Sequence, residues 1–383
     1  MSFTRTLSAI AASLLMIAAL PAAQAQKAQT PAAQTAAPAA LDLKQVLAQA
    51  LEGSKTPALA AVLLQDGKMV QEAAQGVRRN DGQAPVGLDD VWLTGSTGKP
   101  ITTALLAKLV DQGVLAWDTP LERLLPDLLP VMNAQYRGVT LIELLSHRSG
   151  LPENYSDEKY FEAFYQDSRP LPEQRLAYIG RALSEAPVAA PGSKFSYSNT
   201  GFVIAAAIAE RVTQKTFEDL MRREVFAPLG MSHAGYGPTS LDAKTGQNSG
   251  HVQGKPITKP SDSNPLMFAP AGNMHMSMRD WARFCLDQLA AQKGGGKLLS
   301  PASYRLMQST LPGGEGNLGW GLQASLAGRK GPVLLHGGTD GNWYALVALF
   351  PETGLGVLVA ANAGADMDGD KVTQAAMLAM LPN

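Results

Sequence analysis

The chain has 383 residues, 45% of them hydrophobic, which is enough for a sizeable core in one to three domains. Its 32 basic and 33 acidic residues give a formal net charge of −1, with no long block of like charge, which excludes an electrostatic footprint for nucleic acid. A single cysteine, Cys285, excludes an internal disulfide, so the fold must stand on its core.

The first element is a processing segment. Arg5 is followed by an apolar run from about Leu7 to Leu20 and then by the small-x-small site Ala23-Gln24-Ala25, which reads as a cleavable export signal over residues 1–25. The apolar run is shorter than the ~20 residues a membrane span needs. No cysteine follows it to carry a lipid. The mature chain is therefore expected in the periplasm or outside the cell, without a stable membrane anchor. Residues 26–40 are almost all Ala, Gln, Pro, Thr and Lys and read as a disordered linker. The folded domain is expected over 41–383.

Leu41 to Leu51 has helical spacing, and two short runs, Pro57 to Leu64 and Met69 to Val77, meet at Asp66-Gly67 as a hairpin. Lys99 to Gly113 is a well-marked helix, with Pro100 in its first turn and Gly113 as its stop. Roughly residues 116–265 read as an inserted, mostly helical region. It includes Leu141 to Leu145, Pro172 to Leu183 and Phe202 to Val212, and ends in polar loops from Asp242 to Pro270. Arg279 to Leu286 reads as an amphipathic helix that buries Cys285. Gly319 to Gln323, Pro332 to Leu335, Tyr344 to Phe350 and Leu355 to Ala361 read as successive strands, and Lys371 to Leu381 as a last helix. Strands at both ends with helices between them predict an α/β sandwich on an antiparallel sheet, formed by both chain ends and interrupted by the helical insertion.

Three short motifs carry chemistry. In Ser96-Thr97-Gly98-Lys99, serine and lysine project to one side of a helical turn. A buried lysine loses its proton more easily and serves as a base, and N–H groups at a helix start stabilise negative charge on an acyl oxygen. In Tyr197-Ser198-Asn199 the phenol shuttles a proton and the amide holds a substrate carbonyl. In His336-Gly337-Gly338-Thr339, glycines at a strand edge allow a substrate backbone to approach. Any one of these alone is more often an N-cap serine, a turn or an ordinary hairpin.

Together, in this order and spacing, they resemble the plan of serine β-lactamases and penicillin-binding proteins, in particular the branch of class C β-lactamases, DD-peptidases and family VIII esterases. The resemblance runs from about residue 54 to 381 and includes Leu144-Leu145-Ser146-His147-Arg148-Ser149-Gly150-Leu151, Pro270-Ala271-Gly272-Asn273 and Leu318-Gly319-Trp320-Gly321. It implies Ser96 as nucleophile, Lys99 as its base, and Tyr197 as proton donor to the leaving group or partner in base duty. It further implies Asn199, His336 and Gly338 as substrate-binding positions, with the N–H groups of Ser96 and Thr339 as the oxyanion hole. The site is expected in the cleft between the two parts of the fold, with no metal or cofactor. The expected substrate is a small ester, amide or peptide.

The motifs also depart from the plan. Gly337 lacks the hydroxyl common in the middle of the third motif, and His336 stands where lysine is usual. Both weaken β-lactam hydrolysis against an ester or a peptide without a carboxylate at that spot. A D-alanyl-D-alanine carboxypeptidase-like or β-lactamase activity is the alternative enzyme reading, and a non-catalytic ligand sensor on the same fold is the alternative of another class. Lys244-Thr245-Gly246 spells the third motif too early, in a polar loop, and is set aside. His147 reads as structural. His233, His251 and His275 lack metal-ligand spacing, and no Gly-x-Ser-x-Gly elbow is present.

Overall fold

The computed structural model describes residues 41–311 and 317–381. The expected export signal and linker lie outside the described residues. The frame is one six-stranded antiparallel sheet of β1 (Ala58–Gln65), β2 (Lys68–Gly76), β3 (Gly321–Leu326), β4 (Arg329–Thr339), β5 (Tyr344–Phe350) and β6 (Leu355–Ala361), in the order β2-β1-β6-β5-β4-β3. The pairing of β1 with β6, Val62 opposite Leu358, joins the two ends of the chain. Asp66 and Gly67 both take positive φ, 49° and 78°, as a two-residue hairpin turn requires. A second such turn, Ala327-Gly328, joins β3 to β4. An Ala-Gly pair is a weaker turn signal than Asp-Gly, so these strands are longer than the sequence reading made them.

Every residue of β5 and β6 is buried, because the sheet is covered on both faces. Five helices do most of the packing: α1 (Leu43–Leu51), α2 (Lys99–Asp111), α3 (Asn199–Thr213), α4 (Met278–Ala290) and α5 (Gly369–Ala379). Side chains alternate across the sheet. Leu346, Ala348, Val357 and Val359 meet α1 and α5 through Leu47, Val372 and Ala376. Val347, Leu349, Leu358 and Ala360 share the other core with α2, α4 and the helical region. Cys285 is buried in α4, where desolvation pushes its thiol up and leaves it unreactive.

α3 runs through the middle of the helical region, buried at nearly every position from Thr200 to Glu210. It starts at the second motif: Ser198 is its N-cap, and its Oγ accepts from Gly201 N at 3.2 Å. A small sheet of Val91–Leu93, Met274–Ser277 and Gly235–Tyr236 was not expected, since strands this short show no alternation. Between 242 and 270 the chain forms only short turns and the two-residue strands His251–Val252 and Lys255–Pro256. Among the described residues no helix is long and apolar enough to cross a membrane.

Candidate active site

The first motif sits on a single 3₁₀ turn, Gly95–Gly98, that runs straight into α2 at Lys99. The end of β4 packs on this turn backbone to backbone. A Cβ on Gly338 would lie 2.2 Å from Thr94 O and 2.6 Å from Ser96 N. A Cβ on Gly95, which has φ 54°, would lie 2.4 Å from Thr339 N. Glycine on both sides is what lets the two segments meet. Ser96 and Thr339, whose N–H groups are the expected oxyanion hole, thus come together and line one cleft.

Lys99 is fully buried under Ser96. Its Nζ donates to Ser96 Oγ at 3.0 Å, to Asn199 Oδ1 at 2.7 Å and to the Ala271 carbonyl at 2.5 Å. Burial penalises the ammonium, and the amine is drawn down to about 7, the charge of Glu153 opposing the shift. The Tyr197 hydroxyl donates to Ser96 Oγ at 2.9 Å. Desolvation pushes this phenol well up, so it stays protonated at neutral pH. Asn199 turns its oxygen to Lys99 and donates from Nδ2 to Asn154 Oδ1 at 3.0 Å.

The second motif is held from behind by His147, which packs against the Tyr197 ring with centroids 4.4 Å apart. Ser198 N–H donates to His147 Nδ1 at 2.9 Å. Burial, then the Lys99 charge, keep this imidazole neutral.

His336 is apart from this network. It is buried on β4, and its Nδ1 lies 2.7 Å from the Gly337 carbonyl, which only accepts, so Nδ1 carries the proton. Burial and the Lys99 charge bring it to about 3, which makes it neutral. Ser96, Lys99, Tyr197 and Asn199 are thus brought together, with Gly338 and Thr339 against their turn. Among the described residues no hydrogen bond ties His336 to them. Lys244-Thr245-Gly246 lies on an exposed turn capped by Asp242. His251 is bonded to Asn362 O and Asn80 N, and His275 to Gly237 O, each through its ring.

Three partners were not anticipated. Ala271 contributes only a carbonyl, which no side-chain motif reveals, although Pro270-Ala271-Gly272-Asn273 stood out as a stretch. Asn154 and Glu153 follow a loop rather than a periodic element, and nothing local in sequence ties them to Ser96.

The beta-lactamase family model matches residues 43–380 of the chain. The chain is 27% identical over 320 residues to penicillin-binding protein 4 of Amycolatopsis lactamdurans, covering 80% of this chain and 81% of that protein. It is 26% identical over 320 residues to the D-alanyl-D-alanine-carboxypeptidase/endopeptidase AmpH of Escherichia coli (strain K12), covering 80% of each. The octameric penicillin-binding protein homologue from Pyrococcus abyssi has the same fold, with a TM-score of 0.70 and 22% identity over 88% of this chain and 76% of that one. With its sheet built from both ends, its helical region between them and a family match over nearly all of the described residues, the chain belongs to the beta-lactamase family.

Proposed function

We propose that the chain is an exported serine hydrolase that cleaves a small ester or amide through an acyl-enzyme on Ser96. One observation carries the reading: Ser96 Oγ lies 3.0 Å from the buried Lys99 amine and 2.9 Å from the Tyr197 hydroxyl. As an ammonium, Lys99 donates all three hydrogens. As a neutral amine it keeps its bonds to Ala271 O and Asn199 Oδ1 and turns its lone pair to Ser96, whose hydroxyl then donates. An amine near 7 is half prepared for this at neutral pH. Tyr197, held as a phenol, serves as the proton donor and relay, and Lys99 as the base.

In acylation, Ser96 Oγ bonds to the substrate carbonyl carbon while its proton passes to Lys99. The tetrahedral oxyanion rests on the N–H groups of Ser96 and Thr339. Collapse breaks the bond to the leaving group, which takes a proton from Tyr197, itself reprotonated from Lys99. A water then attacks the acyl-enzyme by the reverse relay and frees the acid. Residues 1–25 would be removed on export, leaving the folded domain from 41 in the periplasm or outside the cell.

A D-alanyl-D-alanine carboxypeptidase-like reading is supported by the name of one relative, AmpH. The uncharged His336 and the missing hydroxyl at Gly337 count against β-lactam hydrolysis, whose substrates carry a carboxylate at that end, while histidine at the first position of the motif leaves the peptidase reading open. The test is turnover of a p-nitrophenyl ester by wild type and Ser96→Ala, with intact mass recorded during turnover. A loss of about 1,000-fold or more, with an acyl adduct only on wild type, is expected. Equal rates would sink the reading. A fluorescent penicillin adduct on Ser96 would favour the carboxypeptidase alternative.

A further inference from the structure

We propose that Glu153 is a specificity-determining residue that selects acyl groups carrying an ammonium close to the reacting carbonyl. The inference rests on the hydrolase reading and names the substrate class of that same cleft.

Glu153 lines the cleft together with Ser96, Asn199 and Thr339. Its backbone is fixed, because its carbonyl accepts from Asn199 N at 2.8 Å, at the first residue of α3. Its carboxylate is half-buried and has no hydrogen-bond partner among the described residues. Its charge is felt at both Lys99 and Tyr197, and it shares the cleft wall with Ser96. Burial pushes this carboxyl up from its ordinary value, and the Lys99 charge pulls it back. A carboxylate on the cleft wall that no protein donor occupies keeps its acceptor sites available to a donor on the substrate.

The rest of the cleft agrees. No arginine or lysine is among its lining residues. The third motif offers a neutral imidazole and a glycine where a carboxylate would need a cation and a hydroxyl. Tyr155, Phe161 and Phe268 give the cleft an aromatic wall, and aromatic rings attract a cation where a lysine or arginine would repel it. An acyl group with an ammonium and an apolar side chain, such as an aminoacyl ester or amide, meets all of these features. An acyl group bearing a carboxylate in place of the ammonium meets no cation in the lining and faces Glu153.

The test uses ethyl esters of phenylalanine in both enantiomers, with the amine free, N-acetylated or N-succinylated, at about pH 6.5, below the α-amino range. Wild type should prefer the free amine over the N-acetyl ester in kcat/KM by at least about tenfold, the scale of one charge-assisted hydrogen bond, with the N-succinyl ester poorest. Glu153→Gln should lower that preference by about the same factor, chiefly through KM, and Glu153→Asp should restore part of it. The proposal is overturned if wild type shows no preference for the amine. It is also overturned if Glu153→Gln lowers all three esters by one common factor with a shifted pH profile, since Glu153 would then act only on Lys99. Loss of Ser96-dependent turnover of p-nitrophenyl acetate in wild type would instead sink the hydrolase reading beneath it.

Discussion

Gly338 on β4 touches the backbone of Ser96: a Cβ added there would stand 2.6 Å from Ser96 N and 2.2 Å from Thr94 O. Both atoms belong to backbone, so neither yields by changing a rotamer. The contact sets the distance between the candidate nucleophile and the end of the sheet.

Gly338→Ala should therefore push the turn from the strand. Overpacking of this kind costs about 1–3 kcal/mol, and a displacement near 1 Å at reacting groups costs on the order of 100-fold in rate. A fall in kcat of that order, with a Tm lower by several degrees, is expected. The neighbouring Gly337→Ala is the comparison, because its Cβ would meet no backbone, only the side-chain ends Leu346 Cδ2 at 3.2 Å and Tyr344 Oη at 3.9 Å. Equal kcat losses in the two variants would show that the close approach at 338 is not what matters.

The buried amine of Lys99 predicts the pH dependence. With its value near 7, the neutral base gains population as pH rises, so kcat/KM for a p-nitrophenyl ester should climb through an acidic limb centred near 7. Stability follows the same group. Between about 7 and the ordinary lysine value of 10.5, the unfolded chain holds a proton that the folded chain lacks. Raising the pH through this window therefore favours the folded state, while below it both states carry the charge and the burial cost stays. The Tm of Lys99→Met relative to wild type should fall as pH goes from 7 to 10. A gap independent of pH would mean that the amine is not desolvated.

Much of this site was legible because side-chain identity and spacing mark it. Ser96 and Lys99 are joined by one turn, and Tyr197 and Asn199 flank an N-cap serine that starts a long apolar helix. Asp66-Gly67 and the uniformly apolar runs of β5 and β6 announced the sheet from both ends. The illegible parts are those where chemistry resides in backbone or in distant loops. The Ala271 carbonyl under Lys99 has no side-chain signature, and Asn154 reaches Asn199 from a loop 45 residues away. His336 was readable as a motif letter, but not its burial and neutrality, which come from packing around β4.

Tyr197→Phe separates chemistry from packing. The ring that packs on His147 is kept, so Tm should change little. The hydroxyl that donates to Ser96 Oγ is lost. General acid–base groups contribute about 100- to 10,000-fold, and kcat should fall within that range, with KM nearly unchanged. A variant that kept wild-type kcat would remove the phenol from the relay and leave Lys99 to carry protons both ways.

Arg175 shows how the helical region braces the site from a distance. Its guanidinium is fully buried in the helix Leu171–Ala182 and pairs with Glu210 and Glu218. Its Nε donates to the Met267 carbonyl at 2.9 Å, four residues before the Ala271 carbonyl that receives Lys99. Arg175→Ala would leave Glu210, which is 5% exposed, without its counter-charge. Breaking a buried pair in this way costs about 3–5 kcal/mol. Burial already raises the Glu210 carboxyl against the pull of Arg175, and removing the arginine raises it further. Its folded value would then stand above its unfolded one, so the folded state gains a proton first and stability is lost as pH rises through that window. The variant's deficit in Tm against wild type should accordingly be smaller at pH ~5 than at pH ~8. A deficit that grew toward acid would show that Glu210 is not the group left stranded.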